Sequence, residues 1–201
     1  MRKSVAYWLA LGVTGIVLYL PQSARATLTI KVDSLTTPSP TSVTNGVLNI
    51  AFNVTQPDSS RPMSGYQIQL LLVPVGTAQG MSFVSPFVQN NPNNPVFPSS
   101  PPTDLGSNAT TIQATASLPA GSTSIADGMG LIQVDYQLAA GAAGIYNVDI
   151  NPAITLLTDD SPTPGLIAYT PSNGVVTLTP EPSSACLLLL AGVWPLMRRR
   201  R

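Results

Sequence analysis

Apolar and polar residues alternate along most of the chain. Leu48, Ile50, Phe52 and Val54 point one way, with Asn49, Ala51, Asn53 and Thr55 between them. Ile132, Val134, Tyr136 and Leu138 alternate with Gln133, Asp135 and Gln137, and Tyr146, Val148 and Ile150 with Asn147 and Asp149. A period of two over such lengths predicts half-buried strands of an antiparallel sheet. Shorter runs predict further strands at residues 28–32, 66–75, 81–84, 111–118, 154–157, 166–170 and 175–179. Turn residues separate them. The pattern predicts an all-β antiparallel β-sandwich, jelly-roll or immunoglobulin-like, of about nine or ten strands.

No part of this body has a helical period. The nearest candidate, residues 138–143, is alanine-rich but closed off by Gly141 and Gly144. Residues 66–75 carry leucine on both faces, as a central strand buried on both sides would, with Pro74 near its end where a missing N–H does least harm. Residues 85–108 hold Pro86, Pro92, Pro95, Pro98, Pro101 and Pro102 among several asparagines. Such a run is expected to stay out of the ladder as a long, partly polyproline-like loop.

The two ends differ from the body. Arg2 and Lys3 precede an uncharged apolar run, residues 5–20, and Ala24 and Ala26 supply small residues before Thr27. These are the three parts of a signal peptide, expected over residues 1–26 with signal peptidase as its partner. A retained membrane helix needs about 20 apolar residues; this run is shorter, holds two glycines and stops at Pro21. At the other end, Pro180-Glu181-Pro182-Ser183 leads into the apolar run 185–197 and then Arg198, Arg199, Arg200 and Arg201. That is an extended break, a short membrane-seeking helix and a positive stop. Thirteen residues of helix span about 20 Å, less than a hydrocarbon core of about 30 Å, which suits a temporary anchor. The arginines stay cytoplasmic by the positive-inside rule, so the 27–179 domain lies outside the cytoplasm.

With the ends set aside, the near-neutral chain becomes an acidic domain. Its basic residues are Lys31 and Arg61, against aspartates at 33, 58, 104, 127, 135, 149, 159 and 160: two against eight, a net −6. Such a surface cannot neutralise phosphates, which excludes nucleic acid as a partner. The body has no cysteine and is long enough to be stable by packing alone; Cys186 lies in the tail and reads as apolar filler.

The chain has no histidine, and its one glutamate is Glu181. Ser-His-Asp and Cys-His catalysis and the usual zinc ligand sets are therefore ruled out for the body, and no catalytic residue, metal site or cofactor is expected. Asp159 and Asp160 form the one close carboxylate pair. A solvated turn is the plainer reading of them; calcium binding by their oxygens is the sharper one. The sequons at Asn53 and Asn108 carry no weight in a chain so rich in Asn, Ser and Thr.

The tail resembles the PEP-CTERM sorting signal of bacteria. That resemblance implies an exosortase-type protease acting near Pro180, Glu181 and Pro182, and a destination at the cell surface or in an exopolysaccharide matrix. In the body, Gly130-Leu131-Ile132-Gln133-Val134-Asp135-Tyr136, Gly144-Ile145-Tyr146 and Gly174-Val175-Val176 resemble the C-terminal half of cohesin-type domains. Residues 48–54 and Ser64-Gly65-Tyr66-Gln67-Ile68 are compatible with the N-terminal half. The resemblance implies a nine-stranded jelly roll related in fold to carbohydrate-binding modules; the long Pro/Asn loop departs from it. The expected function is structural or adhesive, with polysaccharide or other matrix proteins as partners. The alternative is a carbohydrate-binding module using Tyr66, Phe83, Phe87, Phe97, Tyr136, Tyr146 or Tyr169 as stacking platforms; an enzyme fits least.

Overall fold

The computed structural model describes residues 28–54, 62–160 and 165–179. Eleven strands and no helix occur among them: β1 (Leu28–Val32), β2 (Leu35–Pro38), β3 (Thr44–Val54), β4 (Pro62–Phe83), β5 (Thr103–Asp104), β6 (Thr111–Ser117), β7 (Thr123–Ser124), β8 (Gly130–Ile150), β9 (Leu156–Asp159), β10 (Thr170–Ser172) and β11 (Gly174–Thr179). The signal peptide, the sorting tail and the two helices expected in them lie outside the described residues.

The architecture is a sandwich whose two layers share their longest strands. One layer runs β10–β1–β3 and then the first half of β8, with residues 81–83 of β4 on its far side. The other runs β2–β11, the second half of β8, and the first part of β4, followed by β6 and β5; β9 and β7 also pair with β4. β4 and β8 stay paired as they cross, from Leu70 opposite Ile150 to Phe83 opposite Tyr136.

Strands expected separately at 66–75 and 81–84 are thus one strand, as are those at 132–138 and 146–150. Local composition suggests a break because both strands bend at glycine. Gly80 (φ +89°) and Gly144 (φ +102°) adopt left-handed backbone. A Cβ on Gly80 would meet the Ala142 Cβ at 2.9 Å, and one on Gly144 the Ala78 Cβ at 2.6 Å. Each bend thus seats an alanine of the other against its glycine. The register slips between Val75 and Gln79 and again before Met81. This frees the Met81 N–H, which donates to the Tyr146 hydroxyl at 3.2 Å.

Pro74 lies well inside β4, not near its end. The Leu72 N–H donates to Thr110 O at 2.8 Å, so the Pro74 nitrogen, two residues on, lies on the same edge. That edge has no strand there, because β6 begins at Thr111. Two other expectations shift: 154–157 becomes β9 at Leu156–Asp159, and 166–170 reduces to one bridge, Thr158 to Leu166, with β10 following.

The alternation has the expected outcome. Ile30, Leu48, Ile50, Ile68, Leu70, Ile112, Ile132, Val134, Val148 and Val176 are fully buried in one core between the layers. The Pro/Asn segment contributes to it as well. Contrary to expectation it does enter the ladder. Gln89 and Gln133 exchange both backbone hydrogen bonds (2.9 and 3.0 Å), Gly130 N–H donates to Asn94 O, and Val96 N–H to Gly130 O. The prolines leave those particular donors free, so the segment covers the open edge of β8. It then turns Val96 and Phe97 inward, and the Phe97 ring stacks on Tyr66 with centroids 5.7 Å apart.

Candidate interaction surface

The described residues present two outer sheet faces and two ends as candidate surfaces. On the β1–β3–β8 face, alternation places Asn45, Asn49, Gln133, Asp135 and Gln137 outward. Strand pairing then sets them side by side, Asn49 opposite Gln133 and Asn45 opposite Gln137. The Gln133 amide donates to Asn49 Oδ1 at 3.1 Å, Asn49 to Asp33 Oδ2 at 3.2 Å, and Gln137 to Asn45 Oδ1 at 3.1 Å. Gln89, from the docked segment, donates to Asp135 Oδ2 at 2.6 Å. The result is a carboxamide ladder of two hydrogen-bonded rungs, with exposed Val47 opposite Asp135 between them.

The opposite face is different. Val73 faces Asn147, which faces Val175; in the next row Val75 faces Ile145, which faces Thr177. Val73, Val75, Ile145 and Val175 are all exposed on it. Beyond Val73 polar groups return, part-buried: Asn151 donates to Oε1 of the buried Gln69 at 2.6 Å, and the Thr115 hydroxyl to Tyr66 O at 2.9 Å.

The aromatic residues do not reach either face. Tyr66, Phe83, Phe97, Tyr136 and Tyr146 are buried, and Phe87 and Tyr169 are half-buried against the core. Five of the seven stacking platforms considered for the glycan-binding alternative are therefore core residues, and Phe87 and Tyr169 keep part of their surface exposed. Their hydroxyls serve the backbone: Tyr66 donates to Leu131 O at 2.9 Å and Tyr169 to Thr155 O at 3.0 Å. Burial pushes the Tyr66 phenol far above its ordinary value, and raises those of Tyr136, Tyr146 and Tyr169.

Asp159 closes β9. Its carboxylate accepts the Gly165 N–H at 2.8 Å, while its own N–H donates to Gly165 O at 3.1 Å. Asp160 follows, exposed. These bonds tie Gly165 to Asp159, and among the described residues no three acidic or thiol side chains gather as a metal site would require. Asp104 is held below its usual value: slight desolvation is outweighed by hydrogen bonds from Ser107 and from the Gly106 N–H. It caps its own loop. The sorting residues Ala24, Ala26, Pro180, Glu181 and Pro182, and Arg198 to Arg201, lie outside the described residues.

Sequence reading missed the ladder as a unit. Alternation marks each amide as outward, but only strand pairing shows which amides meet, and Gln89 arrives from a segment expected to remain apart.

Neither a protein-family model nor a curated protein matches the chain. Solved structures do. A type I cohesin, the seventh of ScaB from Pseudobacteroides cellulosolvens, superposes with a TM-score of 0.58 at 13% identity, over 78% of this chain and 95% of that one. The sixth cohesin of scaffoldin B from Acetivibrio cellulolyticus, solved with a Cel5 dockerin, gives 0.57 at 14%, over 76% and 99%. The cohesin CohA2 of Clostridium acetobutylicum, in complex with a dockerin, gives 0.56 at 20%, over 76% and 100%. The body has the fold of a cohesin-like β-sandwich.

Proposed function

We propose that the chain is an exported, non-enzymatic adhesion module of the cell surface or extracellular matrix, holding a protein partner through the outer surface of its sandwich. The observation that carries this is the cohesin-like fold over the whole body, since cohesins of the same fold were solved bound to dockerins. The burial of Tyr66, Phe83, Phe97, Tyr136 and Tyr146, with Phe87 and Tyr169 half-buried against the core, supports a protein over a glycan, because glycan platforms need an exposed ring. Glycan binding stays as the second reading on one ground: the carboxamide ladder offers fixed donors and acceptors to a polar ligand. Delivery follows the sequence signals. Signal peptidase removes residues 1–26, the tail holds the protein briefly in the membrane with Arg198 to Arg201 as its stop, and an exosortase-type protease cuts near Glu181.

The test uses matrix from the producing cells, immobilised and challenged with the mature protein. Retention abolished by prior protease treatment of the matrix, and unaffected by periodate oxidation of its sugars, supports a protein partner. The reverse result overturns that reading in favour of glycan. Processing is read separately, from the intact mass of released protein: wild type should lack Arg201, and Glu181→Ala should leave full-length protein in the membrane.

A further inference from the structure

The end of the sandwich where β11 stops is made from the two bends and the chain around β2. The Ser39 N–H donates to Thr179 O at 2.8 Å and the Gly141 N–H to Pro40 O at 2.8 Å, while Leu178 pairs with Gly144 and Thr44 with Leu138. Residues 36–46, 73–82, 137–146 and 175–179, which meet there, contain no Asp, Glu, Lys or Arg. They expose Val43 and, on the outer face of the second layer beside the bends, Val75 and Ile145, which are 60, 44 and 43% accessible.

The charges sit elsewhere. Asp135 precedes its bend by four residues of extended chain and Asp33 precedes Thr37 by four, roughly 13 Å in each case. Asp149 is further still from its bend. Asp127, which accepts the Val54 N–H, and Asp159, opposite Met63, mark the far end, with Asp160 beside them. In a domain of net −6, an uncharged end is a departure that its fold does not require.

Where the chain goes next gives that end an occupant. Five residues, 180–184, separate Thr179 from the apolar run starting at Ala185. Fully extended, they reach about 20 Å. A tail inserted in a bilayer therefore keeps this end within about 20 Å of the lipid. The screening length at physiological salt is about 8 Å, so with this end down the nearest aspartates are beyond effective repulsion from anionic headgroups. With the opposite end down, Asp127, Asp159 and Asp160 would face those headgroups directly.

We infer that the uncharged end is a lipid-facing surface: while the tail is in the membrane, Val43, Val75 and Ile145 rest on the headgroup layer and the acidic end points outward. This rests on the tail's being a membrane anchor. It also gives removal of the signal peptide a geometric meaning. Leu28 pairs with Val54 at the acidic end, ten residues of β3 from Thr44, or roughly 33 Å. A chain held at both ends would have to lie on its side.

The experiment uses the exported chain with its tail, residues 27–201, in phosphatidylethanolamine–phosphatidylglycerol vesicles. Cys186→Ser removes the native thiol, and Val75→Cys or Asp127→Cys carries an environment-sensitive fluorophore; Ile145→Cys replaces the first if that variant does not fold. Headgroup nitroxides report proximity, and flotation reports anchoring. The expected result is flotation, with the label at 75 shifted to the blue and quenched severalfold more than the label at 127. Flotation with equal quenching, or with more at 127, overturns the orientation and leaves the anchor standing. No flotation overturns both. A label at 75 shielded without vesicles, with cross-links between copies, assigns the surface to a second copy and overturns the lipid reading.

Discussion

The two ends of the sandwich are built by opposite means. At the acidic end the core is closed by inserted side chains from the docked segment: Val96, and Phe97 stacked on Tyr66, whose hydroxyl donates to Leu131 O. At the uncharged end it is closed by backbone, where glycine in each bend receives alanine from the other and the Tyr146 hydroxyl accepts the Met81 N–H. A plug can be removed at the expense of a cavity. A pair of glycine bends has no such tolerance, because any side chain there strains the backbone and collides with the opposing bend. The difference teaches where each end admits variation.

That contrast can be broken from either side. Phe97→Ala should have the largest effect, lowering stability by about 3–5 kcal/mol through lost burial and a cavity beside Tyr66. Denaturant unfolding measures it, and a loss below about 1 kcal/mol would mean the plug is not part of the core. Gly144→Val should cost about 2–4 kcal/mol at the other end, adding left-handed strain to overpacking against Ala78. Gly144→Ala should recover only part of this, since the strain and the clash at Cβ both remain.

Alkaline pH acts on the phenols of both ends. Tyr66 is raised in the folded state from an ordinary value near 10. Its contribution is therefore present in full below pH 10 and lost as pH rises above 10, because only the unfolded chain ionises readily there. The expected slope is about 1.4 kcal/mol per pH unit from Tyr66 alone. Tyr66→Phe should flatten the curve above pH 10 more than Tyr146→Phe, since Tyr146 is also held down by the Met81 N–H. The smallest effect is that of Tyr146→Phe at neutral pH, about 1 kcal/mol for a lost hydrogen bond to one backbone donor. Hydrogen exchange at the Met81 amide should report it before any melting curve does.

Alternation alone determined that the body is all-β, which residues form its core, and which point outward. Leu48, Ile50, Ile132 and Val134 are buried and Asn49, Gln133 and Gln137 face out because a strand gives its side chains only two directions. The absence of histidine, and of any glutamate but Glu181, likewise set the chemical limits before any contact was known. Tertiary structure decided what is non-local. Period two continues unaltered through a bend that carries a strand from one layer to the other, so β4 and β8 read as four strands. Proline removes its own donor and leaves its neighbours theirs, so Gln89 could pair with Gln133, and Asn94 and Val96 could bond Gly130, where local composition predicts a loop. An aromatic residue has the same pattern value in a core as on a platform, and only packing placed Tyr66 and Phe97 inside. The charge-free end is non-local too: it is assembled from four separated segments, and nothing but the fold brings them together.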